Sequence, residues 1–103
     1  MPKYVLAYHG GGMAPPDQQE AVMNAWIAWF GSLGEAVVDG GNPTGASSTV
    51  ASDGSVSAGG GANPISGYSL ITAADLHAAT ALTKGCPILA AGGSVEVAEA
   101  IDM

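Results

Sequence analysis

His9 is the side chain in this chain best suited to proton chemistry. It stands where an apolar run, Tyr4-Val5-Leu6-Ala7-Tyr8, gives way to three glycines. An imidazole at a strand end ordinarily titrates near neutrality, so it can exchange a proton or hold an anion. The same residue can equally be a loop histidine bonded to backbone. Asp39 is its candidate partner, able to orient the ring. It also precedes Gly40-Gly41-Asn42-Pro43, a breaker cluster in which a carboxylate commonly accepts from the turn's own N–H groups. Trp26 and Tyr68 are candidate walls of a ligand cleft, and Asn42 a polar group at its mouth, beside Gly10 to Gly12 and the glycine-rich segment 59–61. Core packing is the competing role for the tryptophan.

Other residue types offer less. His77 sits among alanines on a short helix and reads as a surface residue. Asp53 precedes Gly54 in a hairpin-turn pair and reads as a turn former. Cys86 is alone, so no internal disulfide or CxxC pair exists, and it reads as a small hydrophobe in a reducing cytoplasm. His9-Gly10-Gly11-Gly12 matches an esterase oxyanion loop, but no G-x-S-x-G elbow accompanies it. No phosphate-binding glycine motif occurs, and two histidines with one distant cysteine make no zinc site. No metal and no cofactor are expected.

The element that must position these residues is the stretch from Pro15 to Gly34, which holds both tryptophans and the only phenylalanine. Val22, Trp26, Trp29, Phe30 and Leu33 follow helical spacing, Met23 and Ile27 make a second apolar face, and Asp17 with Glu20 matches a capping box. Gly31 and Gly34 are plausible stops. A helix apolar nearly all round predicts cover on more than one side. Residues 3–8 predict a first strand apolar on both faces, and residues 35–39 a short second strand. A hairpin follows, 48–52 with 55–58, turning at Asp53-Gly54. Residues 67–72 predict a third strand of the main sheet, 73–84 a shorter helix ended by Gly85 and Pro87, and 94–101 an alternating last strand, with 88–93 an apolar connector.

A length of 103 residues predicts one domain, 1–103, with one modest core. Two basic against nine acidic residues, a net charge of −7, argues against nucleic acid and against anionic membrane surfaces. No apolar run is long enough to span a bilayer, and no signal peptide is expected at the start. A cytoplasmic protein is the resulting expectation.

Strand-helix-strand, hairpin, strand-helix-strand is the split βαβ, ferredoxin-like plan of the α+β class, with an inserted hairpin. It predicts both helices on one face of a four-stranded antiparallel sheet of order 4-1-3-2. The other face would be an exposed apolar patch, so two chains are expected to pack sheet against sheet as a homodimer. In that topology the ends at His9 and Asp39 and the starts at Tyr68 and Ser94 share one sheet edge. Strands one and two, with a strand between them, lie roughly 10 Å apart.

Tyr4-Val5-Leu6-Ala7-Tyr8, the Trp-containing helix, Asp53-Gly54-Ser55-Val56 and the tail Lys84-Gly85-Cys86-Pro87-Ile88-Leu89 with Gly93-Ser94-Val95-Glu96-Val97 together resemble YCII-related (DGPF-type) domain proteins. The resemblance implies a dimeric α/β-barrel. Some YCII-like proteins are thought to be lyases or dehalogenating enzymes using a His–Asp pair with the histidine on the first helix. Residues 17–33 contain no histidine, so that assignment does not carry over. Two functions follow as expectations: a homodimer binding a small organic molecule, with His9 and Asp39 exchanging a proton and Trp26, Tyr68 and Asn42 holding the ligand, or a non-enzymatic interaction or regulatory module associated with transcription, as related domains occur with sigma factors.

Overall fold

A computed structural model describes residues 1–12 and 14–103; Met13, in the glycine-rich loop after the first strand, lies outside the described residues. The apolar run forms β1, Lys3–His9, one residue longer than expected, so that His9 belongs to the strand. α1 spans Gln19–Leu33, and β2 Val37–Asp39 follows after a 3-10 turn. The hairpin is β3, Ser48–Val50, and β4, Val56–Ala58. β5, Ile65–Thr72, leads to α2, Leu76–Thr83; the apolar connector contains a third, short helix, α3, Pro87–Ala90; and β6, Ser94–Ala100, ends the fold.

The fold is mixed α and β. β2-β5-β1-β6 is the order of a four-stranded sheet in which every pair is antiparallel, the order read from the sequence for its four main strands. The sheet is open, and the hairpin stands apart as a second, two-stranded sheet with all of its residues exposed.

Alternation along β1 sorts the two faces. Tyr4, Leu6 and Tyr8 are buried, and they pair across β5 with Ile71, Ser69 and Gly67, all buried too. The core lies on this face, where Ala79 and Thr83 of α2, Cys86, Ile88 of α3 and Trp29 of α1 cover the sheet. Val5 and Tyr68, pointing the other way, remain 37% exposed, and Val38 46%. Among the described residues no helix or second sheet covers that face.

Three local expectations are corrected. Asp17 does not cap α1: the N-cap is Gln18, with no side-chain hydrogen bond, because Pro15 to Gln18 first make a turn closed by Gln18 N–H to the Pro15 carbonyl. The hairpin turns through three residues, not two. Ala51 and Ser55 still pair, and Gly54 takes φ +89°, the left-handed residue that a three-residue loop needs. α2 begins at Leu76 rather than Ala73, because Asp75 caps it by accepting from Ala78 N–H at 2.8 Å. The expected stop at Gly34 holds: its N–H bonds to the Phe30 carbonyl.

α1 departs most from expectation. It is covered on one side only. Trp29 is its one buried residue, while Met23 and Ile27 are each 63% exposed. Trp29 anchors the C-terminal half by packing beside Gly85 and donating its indole N–H to the Leu82 carbonyl at 3.2 Å. The N-terminal half, from Gln19 to Ala25, is exposed throughout. No helix among the described residues is long and apolar enough to cross a membrane.

Candidate functional site

The space left by α1 is a groove of about 1650 Å³. Its inner wall is a run of rings. Tyr8 of β1 meets Trp26 edge-to-face with centroids 5.1 Å apart, Trp26 meets Trp29 at 5.9 Å, and Phe30 lies 5.8 and 5.1 Å from the two indoles. The spacing of α1 explains the wall: positions 26, 29 and 30 share the helix face turned toward the sheet. Gly11, Ile88 and Ala91 close one end. Asn42, Pro43, Thr44, Ser66 and Tyr68 stand at the other.

That second end holds the polar groups. Asn42 Nδ2 donates to the Tyr68 hydroxyl at 3.1 Å, and among the described residues neither the amide oxygen nor the phenol hydrogen has a further partner. The 40–44 segment is fixed to β5 by Tyr68 N–H to the Asn42 carbonyl, Thr44 N–H to the Ser66 carbonyl, and a bridge between Pro43 and Gly67. Ser66 Oγ is buried with no hydrogen-bond partner among the described residues. At the groove floor Tyr8 donates its hydroxyl hydrogen to Ser69 Oγ at 2.7 Å, and Ser69 donates to the Gly40 carbonyl at 2.7 Å. Burial pushes the Tyr8 phenol up to about 12, so it stays neutral. Burial likewise raises the Cys86 thiol, which keeps it in the form that does not attack.

His9 is on the opposite face of the sheet and does not line the groove. Its Nδ1 lies 3.0 and 3.2 Å from the carbonyl oxygens of Asn63 and Pro64. Carbonyls only accept, so Nδ1 carries the hydrogen and Nε2 is the nitrogen left to exchange a proton. Nε2 is 3.8 Å from Glu96 Oε1, an ion-pair distance once the ring is protonated and too long for a hydrogen bond. Glu96 is the functional neighbour that sequence reasoning missed. The β1–β6 register that pairs Ala7 with Glu96 and His9 with Ser94 makes His9 and Glu96 diagonal neighbours.

Asp39 does not meet His9. Its carboxylate accepts from Gly41 N–H at 2.8 Å, the turn role, and β5 separates β2 from β1. The five candidate residues therefore divide. Trp26 and Asn42 border the groove, and Tyr68 meets Asn42 at the β5 edge with its ring on the helix-free face that also carries His9; His9 and Asp39 stand apart from the groove and from each other. Asp53 is a turn residue, its carboxyl lowered by the hydrogen bonds it accepts from Ser55, and His77 is exposed. Among the described residues no three His, Cys, Asp or Glu side chains cluster closely enough to hold a metal ion. Compared with known proteins, the chain matches no family model, and no curated protein matches it significantly.

Proposed function

We propose that this chain is a YCII-like domain of ferredoxin-like plan, homodimeric through its helix-free sheet face, that binds a small organic molecule in the groove beneath α1. The observation that carries this reading is the ring-lined groove itself. An open concavity walled by Tyr8, Trp26, Trp29 and Phe30, with Asn42 and Thr44 at one end, has the make-up of an organic ligand site: apolar walls and a few placed polar groups.

The primary role is binding. The groove contains no group able to act as a base near neutrality, since its floor phenol is held neutral and hydrogen-bonded. Any proton exchange falls to His9 Nε2 with Glu96, on the other face, where a paired second chain would enclose it. The indole N–H signals of Trp26 and Trp29 report directly. In a ¹H–¹⁵N correlation spectrum, a mixture of small neutral organic compounds shifts the Trp26 indole signal and leaves the His77 amide unmoved. Shifts confined to the His9 and Glu96 amides would transfer the ligand site to the other face, and no shift at either place would remove the binding role.

A further inference from the structure

We infer that the groove is selective for uncharged, extended, ring-containing molecules; this rests on the groove being a ligand site at all. The chain has a net charge of −7, yet no Asp, Glu, Lys, Arg or His lines the groove. An ionic group entering it would lose hydration and find no counter-charge, which is the costly form of burial.

An acidic protein with four clustered rings invites the opposite reading, an aromatic cage for an organic cation. The ring geometry decides against it. A cage needs rings standing around an empty centre. Here each ring packs on the next, with every neighbouring centroid 5.1 to 5.9 Å away, so the rings form a continuous wall with no room between them for an ammonium. Trp26 stands nearly perpendicular to Tyr8 and Trp29, at 80° and 81°, so the wall offers both ring faces and ring edges to an apolar ring.

Size and polarity fix the rest. The groove, at about 1650 Å³, exceeds the usual volume of a small-ligand pocket, so it suits a molecule of several rings or a ring with a long apolar chain. Uncharged polar side chains line the groove at the start of α1, Gln18 and Gln19, and along the 40–44 segment, Asn42 and Thr44.

Three fluorescent probes of one shape test this: neutral N-phenylnaphthylamine, its sulfonate, and a trimethylammonium derivative. Energy transfer from the two groove indoles reports occupancy, and high salt screens the chain's overall charge. The neutral probe is expected to bind at least about ten-fold more tightly than either ion. Trp26→Ala should weaken it by a similar factor. Met23→Lys, at a groove position 63% exposed and so tolerant of substitution, should bring the sulfonate's affinity toward that of the neutral probe. Equal or tighter binding of either charged probe to the unsubstituted protein overturns the selectivity while leaving a ligand groove in place. Failure of all three to bind overturns the groove's ligand role and the selectivity with it.

Discussion

Gly41 shows how tightly one residue is constrained by the groove's polar end. Its φ is +72°, and a Cβ placed there would stand 1.7 Å from the Tyr68 carbonyl oxygen. That oxygen belongs to rigid β5 and cannot yield. Gly41→Ala therefore combines left-handed strain with a backbone clash, and should cost about 2–4 kcal/mol in chemical denaturation, while Gly40→Ala, which meets nothing within 4 Å, costs less than about 1 kcal/mol. Tyr8 makes a pH-dependent contribution. Its phenol titrates at about 12 folded against 10.0 as the reference, so the native state holds a proton that the unfolded chain releases. The stabilisation is complete below pH 10 and drains away between pH 10 and 12, by up to roughly 2–3 kcal/mol. Tyr8→Phe should flatten that alkaline loss and lower stability near neutrality by about 1 kcal/mol, since Ser69 loses one hydrogen bond. Equal alkaline loss in both proteins would assign the effect to Tyr4, whose phenol is raised by desolvation, then Glu99, then Asp75.

At the scale of elements, what was legible in the sequence is what local periodicity encodes. β6 alternates within itself, β1 and β5 are short runs with apolar residues on both faces, and Asp53-Gly54 marks its own turn, so these elements were visible without knowing their neighbours. The coverage of α1 was not. A stripe apolar almost all round carries no phase, so it cannot tell which side meets the sheet. α3 has only four residues, too few to show a helical period. Glu96 beside His9 depends on the long-range β1–β6 register, which no short stretch of sequence contains. The turn role of Asp39 was legible from Gly40-Gly41; its separation from His9 followed from β5 lying between their strands. The one-sided docking of α1 has a measurable consequence. Trp29→Ala should cost about 3–5 kcal/mol, losing both a buried ring and the bond to Leu82, whereas Ile27→Ala, on the uncovered face, should change stability by no more than about 0.5 kcal/mol. A large cost at Ile27 would mean that this face of α1 is covered in solution.

The whole molecule is a slab, 43 by 42 by 18 Å, about the thickness of one sheet and one layer of helices. Its radius of gyration of 14.8 Å exceeds the roughly 13 Å of a compact chain this long. Two layers leave one sheet face bare, and here that face carries Val5, Ala7, Tyr68 and Leu70 along its two central strands. The proposed homodimer would cover it, and two charge patterns make the proposal measurable. Each protomer carries −7, so pairing works against long-range repulsion that salt screens, while the face itself is apolar and salt does not weaken it. Sedimentation should therefore find the dimer tightening as salt rises, the reverse of an association built on ion pairs. Val5→Glu places a new acid at the centre of the face, where two copies would meet across the symmetry axis without counter-charge. It should give a monomer at micromolar concentration that keeps its circular dichroism, because Val5 supports nothing in its own core. His9 and Glu96 flank that face, so in the same variant His9 should become more open to carbethoxylation. A monomer in the unsubstituted protein at all salt concentrations would leave the bare sheet face without a partner.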